Sequence, residues 1–265
     1  MNQDRLPISA YIVCRDEVDM IGPCIESLAI CNDIVVVDSG STDGTLDLLE
    51  SYRQQGYPIR LFHNQWPGYA RQKQYALDQA KEEWCLNLDA DERLDAALAN
   101  ELKALVRAPR HVGAWRINFR IFLYGYGYTP ESVRYGGSVR LMRRGRAKYN
   151  IEQLVHEGVI IDGEIKTSKK GHILHARSIS IAEQIQKENQ YSSLKAEQLF
   201  RSGNTPRIFR LFTSPIFYFI KIFFIRRYFL CGMTGFIHAT IGSIYSFMTE
   251  SKLYQIHYNS KLPKS

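Results

Sequence analysis

Cysteine is scarce and unpaired in this 265-residue sequence: five residues (Cys14, Cys24, Cys31, Cys85, Cys231), none in a C-x-x-C pair. An odd, scattered set fits reduced thiols in a cytosolic compartment better than a disulfide framework. The opening stretch MNQDRLPISAYIVCRDE has no apolar core followed by a cleavage site, so no signal peptide is expected. The G-x-x-x-x-G-K-[ST] phosphate loop is absent, and no internal repeat or low-complexity tract occurs. Acids are missing from one region above all. Residues 201–265 hold nine of the 34 Lys and Arg but only one of the 27 acids, Glu250, so the net charge of +7 belongs entirely to this tail. The tail also carries 14 of the 32 aromatic residues. Its basic residues lie among Phe, Ile and Tyr rather than on polar faces, which argues against nucleic acid and for an anionic membrane surface as partner.

What is present alternates between two periodicities. ISAYIVC (8–14), DIVVVD (33–38), PIRLFH (58–63) and WCLNLD (84–89) are continuous apolar runs of strand length. Between them, residues 20–30, TLDLLESYRQQG closed by Gly56, and 69–83 have helical spacing, and a further helix is expected over 95–107. Strands of this kind alternating with helices predict a parallel α/β sheet covered by helices on both faces. Residues 112–175 read as shorter strands, an antiparallel extension carrying a Gly- and Tyr-rich loop, and 180–201 as a polar helix. Ligands of such sheets bind beyond the carboxyl ends of the strands, where Asp38 and Asp89 both fall.

Two motifs at those ends carry candidate chemistry. DSGSTDGT (38–45) follows a strand and opens a helix. The Asp38 carboxylate can accept from a nucleobase imide or a ribose hydroxyl; equally, the segment is an ordinary strand–turn–helix with Thr42 or Asp43 as N-cap. LDADE (88–92) places Asp89 and Asp91 one residue apart after a strand. Both can face one hard cation, Mg²⁺ or Mn²⁺, which takes one or two protein carboxylates and fills the rest with water and phosphate oxygens. Equally, it is a solvated acidic turn with Asp91 or Glu92 starting the next helix. Arg71 and Lys73, on the preceding helix, either add positive charge there or form a solvated face.

In combination, a strand–DSGSTDGT–helix and a strand–DADE turn resemble family 2 glycosyltransferases of the GT-A fold. ISAYIVCRDE resembles that family's opening strand, with Arg15 and Asp16 standing where lysine and asparagine are usual and Glu17 kept. WPGYARQKQYAL, VRLMRR, LVHEG, ILHA and KENQYS resemble later family motifs, with Gln74 and Met142 as departures. The tail from IKIFF onward resembles bacterial lipopolysaccharide-core β-glucosyltransferases, with Leu230-Cys231-Gly232 replacing L-D-G. The resemblance implies a GT-A mixed sheet and transfer of a hexose, glucose first, from a UDP-sugar to a lipopolysaccharide-core or other lipid-linked saccharide. It implies a divalent metal at Asp91 and Asp89, with His175 as a further ligand or a structural residue. Arg15, Glu17, Asp38, Gly68, Arg71, Lys73 and Asp89 would line the donor site, and Arg140 would meet the acceptor or the diphosphate. Glu157 would be the general base of an inverting displacement, and His156 would orient it, contact the diphosphate or be structural. The loop 124–137 would cover the acceptor.

The expected organisation is a glycosyltransferase domain over 1–205, with a nucleotide half (1–110) and an acceptor half (111–205). A basic aromatic membrane-associating tail over 206–265 follows, holding the enzyme on the cytoplasmic face of the inner membrane. The stretch 228–249 has no Asp, Glu, Lys or Arg and is long enough to span, but its glycines, His238 and hydroxyls also suit helices in the interface or packed on the body. Competing readings are a polyprenyl-phosphate glycosyltransferase, a sugar nucleotidyltransferase and a non-catalytic membrane adaptor of the same fold.

Overall fold

The computed structural model describes residues 5–151 and 158–261. His156 and Glu157 lie outside the described residues. The chain divides into two compact units, one formed by the residues up to Ile121 with Gly136–Arg177, the other by Phe122–Tyr135 with the residues from Ser178 onward.

The first unit begins with alternating strands and helices: β1 (Leu6–Cys14), α1 (Val18–Ser27), β2 (Cys31–Asp38), α2 (Thr45–Gln54), β3 (Ile59–His63), α3 (Tyr69–Asp78) and β4 (Trp84–Asn87). It continues with β5 (Glu92–Leu94), α4 (Ala96–Leu105), β6 (Val112–Leu123), β8 (Gly137–Arg143), β9 (Ala147–Tyr149), β10 (Val159–Ile161) and β11 (Glu164–His175), with β7 (Gly127–Tyr128) lying in the second unit. The strand order is β3-β2-β1-β4-β8-β6-β11-β5. Its first four strands are mutually parallel. β8 runs antiparallel to both β4 and β6, as an antiparallel extension requires. The expectation fails at β11, which pairs parallel with β6 and antiparallel with β5. β9 and β10 form a separate hairpin.

Alternation along the central strands sorts side chains onto two cores. Ile8, Ala10, Ile12, Ile34 and Val36 join Ile21, Ile25, Leu49, Leu98 and Leu102 of α1, α2 and α4 on one face. Tyr11, Val35 and Val37 join Ala70, Ala76 and Leu77 of α3 on the other. Both faces are therefore covered, which is why these strands carry apolar residues at successive rather than alternate positions. The order in which strands are added reverses about β1: β2 and β3 step away on one side, β4 on the other. That makes the carboxyl ends of β1 and β4 the switch point of the sheet. Close approach fixes one glycine: a Cβ on Gly171 of β11 would lie 2.1 Å from the Leu98 backbone, so α4 seats against β11 only with glycine there.

The second unit holds the end of β6 paired with β7, then α5 (Ile181–Arg201), α6 (Ile208–Ile220) and α7 (Gly232–Asn259). α5 opens with a capping box: Ser180 accepts from the Glu183 amide while Glu183 accepts from that of Ser180. α7 packs on α5 and α6 through small residues. Gly235, Ala239 and Gly242 are buried, and a Cβ on Gly242 would meet the Tyr218 ring at 2.6 Å. Two of the three glycines that weaken 228–249 as a span, Gly235 and Gly242, thus belong to a packing face. Among the described residues, the helical stretch long and apolar enough to cross a bilayer is instead Ile208–Ile225, where α6 continues through a π-helical turn (Lys221–Ile225), and almost none of it is buried.

Candidate active site

The loops following β1 and β2 are sewn together by the DSGSTDGT residues themselves. Asp38, almost fully buried at the end of β2, accepts from the Gly40 amide at 2.7 Å, the Ser41 amide at 3.0 Å and the Ser41 hydroxyl. Across the loops, Asp16 Oδ1 accepts from the Thr42 amide (2.7 Å), Asp43 Oδ2 from the Val18 amide (3.0 Å) and Thr45 Oγ1 from the Glu17 amide (2.9 Å). Asp16 takes a left-handed conformation, φ +53°, to make this crossing. Neither Thr42 nor Asp43 is the N-cap of α2. Gly44 occupies that position at φ +97°, and Asp43 accepts the Thr45 amide one step inside. Arg15 stands exposed on this rim, 3.5 Å from Asp16.

The acidic turn after β4 is only partly solvated: the Asp89 side chain is 36% exposed, yet both of its oxygens are paired with cations. Asp89 Oδ1 lies 2.9 Å from Lys73 Nζ, which reaches it from α3, and its Oδ2 lies 3.1 Å from Arg140 Nη2 of β8. Arg140 also donates to Glu92 Oε1 (2.6 Å) and to Asn87 Oδ1 (2.7 Å) and sits over the Phe119 ring. Burial alone would raise the Asp89 carboxyl, but Arg140 and Lys73 outweigh it and hold it well below the usual carboxylate range. Glu92 moves the other way. Burial, with Asp89 nearby, pushes it up to about 7 against the pull of Arg140. Glu92 does not start a helix. It begins β5, almost fully buried, and accepts the Asp89 amide, while Asp95 caps α4 by accepting from Leu98.

Asp91, two residues on, faces a different set. Its Oδ2 accepts from Arg177 Nε at 2.8 Å and lies 3.6 Å from His175 Nε2 at the end of β11. Arg177 Nη2 donates to both carboxylate oxygens of Glu17. Burial lifts the Glu17 carboxyl above its ordinary value against the opposing attraction of Arg177. The structure therefore brings Glu17, Lys73, Asp89, Asp91, Arg140 and His175 together beyond the carboxyl ends of β1 and β4. Gly68, at φ +102°, opens α3 with nothing near its α-carbon, and Arg71 is exposed on that helix. Lys73 is nearly buried, so the solvated-face reading fails for it. Two members of the constellation, Glu92 as a buried partner and Arg177, escape sequence reasoning. Arg177 directly follows the apolar-x-His strand ILHA, and that adjacency was the available signal.

Among the described residues, no group of three or more His, Cys, Asp or Glu side chains forms a ready cage for a metal ion. Asp91 and His175 nevertheless fit a divalent ion that keeps most of its coordination for water and diphosphate oxygens, with a carboxylate oxygen and an imidazole nitrogen at the separation of neighbouring ligands.

A parallel β3-β2-β1-β4 half, an antiparallel extension from β4 and an acidic turn at the switch point define a GT-A glycosyltransferase fold. Solved structures agree in fold. S. aureus TarS (residues 1–349) in complex with UDP covers 98% of this chain and 93% of its own at 14% identity and TM-score 0.50. The Pyrobaculum calidifontis mannosyltransferase PcManGT in complex with GDP-Man and Mn²⁺ covers 98% and 77% at 16% identity and TM-score 0.52. The family model described as glycosyl transferase family 2 matches residues 9–161. The lipopolysaccharide core biosynthesis glycosyltransferase LpsC of Rhizobium meliloti is 48% identical over 253 residues, 96% of this chain and 94% of that protein. An uncharacterized glycosyltransferase of Rickettsia felis is 31% identical over 96% of this chain and 92% of its own length. The chain belongs to glycosyl transferase family 2, and it is a glycosyltransferase.

Proposed function

We propose that this enzyme transfers a hexose, glucose first, from a UDP-sugar to a lipopolysaccharide-core saccharide, inverting the anomeric centre. The observation that carries the reading is the meeting of Lys73, Asp89, Asp91, Arg140 and His175 at the switch point of a family 2 fold. The acceptor class rests on 48% identity to a lipopolysaccharide-core enzyme along nearly the whole chain. UDP in a fold neighbour supports the donor class and Mn²⁺ in another supports a metal.

The residues divide the work as follows. The Asp16, Asp38, Ser41, Thr42 and Asp43 network holds the β1 and β2 loops as a rim for base and ribose, with Arg15 and Glu17 on its edge. Asp38, already satisfied by Gly40 and Ser41, shapes that rim first and offers any remaining lone pair to the nucleoside. Asp91 and His175 hold the divalent ion, which when bound neutralises charge on the leaving diphosphate. Lys73 places a further positive charge at Asp89 in a nearly dry setting, and the glycine at position 68 lets the donor approach the start of α3. Arg71, exposed on the same helix, is available to the donor. Arg140 is spent on Asp89, Glu92 and Asn87, so its role is to set the Asp89 carboxylate rather than to bind acceptor. Glu157 is the base that takes the acceptor proton, with His156 beside it, and direct displacement by a single base inverts the centre.

The exposed aromatic face of α6, with Phe209, Phe212 and Phe217 among Arg207, Arg210 and Lys221, lies in the anionic interface of the inner membrane on its cytoplasmic side, within reach of an amphiphilic acceptor. The Gly- and Tyr-rich loop 124–137 leaves Tyr124, Tyr126 and Tyr135 exposed, with aromatic faces of the kind that stack on sugar rings. The test is incubation of the enzyme and its Asp91→Ala and Glu157→Gln variants with truncated core oligosaccharide, a panel of nucleotide sugars and Mg²⁺ or Mn²⁺. A mass increase of one hexose in the wild type, lost in both variants, is expected. Full transfer by both variants would sink the mechanism.

A further inference from the structure

Arg177 closes the cation position with its own charge. One guanidinium bridges two carboxylates, Asp91 through Nε at 2.8 Å and Glu17 through Nη2. The surrounding backbone is fixed. The Ala176 amide donates to the Asp91 carbonyl at 2.8 Å, and His175 pairs with Glu92 in the β5–β11 ladder. The turn and the strand end therefore stay in place, while the Arg177 side chain, about a third exposed, is the part that can move. A divalent ion seated between Asp91 and His175 needs the same Asp91 Oδ2 that Arg177 now occupies. Two cations cannot share one carboxylate oxygen at hydrogen-bonding and coordination distances without strong repulsion.

We propose that Arg177 is a built-in placeholder for the metal. It holds Asp91 and Glu17 neutralised in the donor-free enzyme and yields Asp91 only when a metal-bound nucleoside diphosphate arrives. This rests on reading Asp91 as a metal ligand, and it adds a consequence that reading lacks: the metal binds poorly alone and well with the nucleotide. A bare hydrated ion must displace a charge-assisted, two-carboxylate bridge. A nucleoside diphosphate brings extra oxygen ligands for the ion that offset that loss. Glu17 is the anchor that receives the released guanidinium, so it couples the β1 loop to the state of the metal site.

The experiment titrates Mn²⁺ into wild type, Arg177→Gln, Glu17→Gln and Asp91→Asn, following the free-ion electron paramagnetic resonance signal, each with and without UDP. Without UDP, Arg177→Gln should bind Mn²⁺ about tenfold or more tightly than wild type. Glu17→Gln should bind it more weakly, because Arg177 then has Asp91 as its main anchor. UDP should raise Mn²⁺ affinity far more in wild type than in Arg177→Gln. Removing a positive and a negative charge beside the site shifts Mn²⁺ affinity in opposite directions by field alone, so the discriminating readout is the UDP dependence, which a placeholder loses in Arg177→Gln and a merely structural arginine keeps. Equal Mn²⁺ affinity of wild type and Arg177→Gln without UDP, while Asp91→Asn loses the ion, overturns the placeholder alone. Undiminished Mn²⁺ binding by Asp91→Asn with UDP present overturns the metal reading and the placeholder with it. Should Arg177→Gln fail to fold, Glu17→Gln binding Mn²⁺ as tightly as wild type overturns the placeholder.

Discussion

Replacing Arg140 by Met would strip the centre of the site of its organising cation. The arginine is almost wholly buried and donates to Asn87, Asp89 and Glu92 at 2.7, 3.1 and 2.6 Å. Met has comparable length and packs against Phe119, so the loss is electrostatic rather than steric. It leaves the partly exposed Asp89 with Lys73 and the almost fully buried Glu92 with the Asp89 amide, so the buried Arg140–Glu92 pair is broken. Removing one member of such a buried pair costs about 3–5 kcal/mol. For a domain of this size that lowers the melting temperature by on the order of 10 °C. The pH dependence follows from Glu92. Its folded carboxyl titrates near 7, above the unfolded value, so between those values the native state holds the extra proton and stability falls as pH rises. Without Arg140 the folded value climbs further, so the deficit of Arg140→Met should be larger at pH 8 than at pH 6. Adding Glu92→Gln should restore part of the loss at pH 8. Thermal melts by circular dichroism at the two pH values read all of this. Melting within about 2 °C of wild type at both would refute the account of Arg140 as the charge that organises the turn.

Two further outcomes concern the second unit. Phe212→Asp with Phe217→Asp should cut binding to vesicles rich in anionic phospholipid by roughly tenfold or more, with wild-type binding weakening as salt rises; cosedimentation that is unchanged would remove α6 as the docking face. His238 is half-buried, stacked on Tyr228 and close to Arg226, and its folded pKa is depressed to about 4, desolvation being the main cause. The unfolded chain therefore binds a proton that the folded one refuses between about pH 6.5 and 4, so stability falls as pH falls through that window, by up to on the order of 3 kcal/mol. Replacing His238 by Gln should flatten this part of the melting-temperature profile, and an identical slope would contradict it.

The sheet half of the fold was legible because its signals are local. ISAYIVC, DIVVVD and WCLNLD are apolar at successive positions, and a parallel strand covered on both faces requires that. β11 was legible only in its second half, GHILH: EIKTSKK before it is mostly polar, and its parallel pairing with β6 joins segments far apart in the chain. Lys73, Asp89, Asp91 and Arg140 were found from motifs, but their pairing was not, because it depends on α3 and β8 meeting across β4. Glu92 looked like a helix start, since acids favour that place; Asp95 holds it instead, and Glu92 turns inward to Arg140. Arg177 lies 86 residues from Asp91 and 160 from Glu17, beyond any periodicity. In the tail, the absence of charge over 228–249 suggested a span. The structure uses its Gly235, Ala239 and Gly242 to bring α7 against its neighbours and leaves Ile208–Ile225 bare.

The measurement that bears most directly on the central claim is mass spectrometry of truncated core oligosaccharide after incubation with the enzyme, UDP-glucose and Mn²⁺. A mass gain of one hexose that a β-glucosidase removes, abolished by chelation and by Asp91→Ala, is the predicted result. An unmodified acceptor with every nucleotide sugar tried, or the same hexose increment from Asp91→Ala, would contradict it.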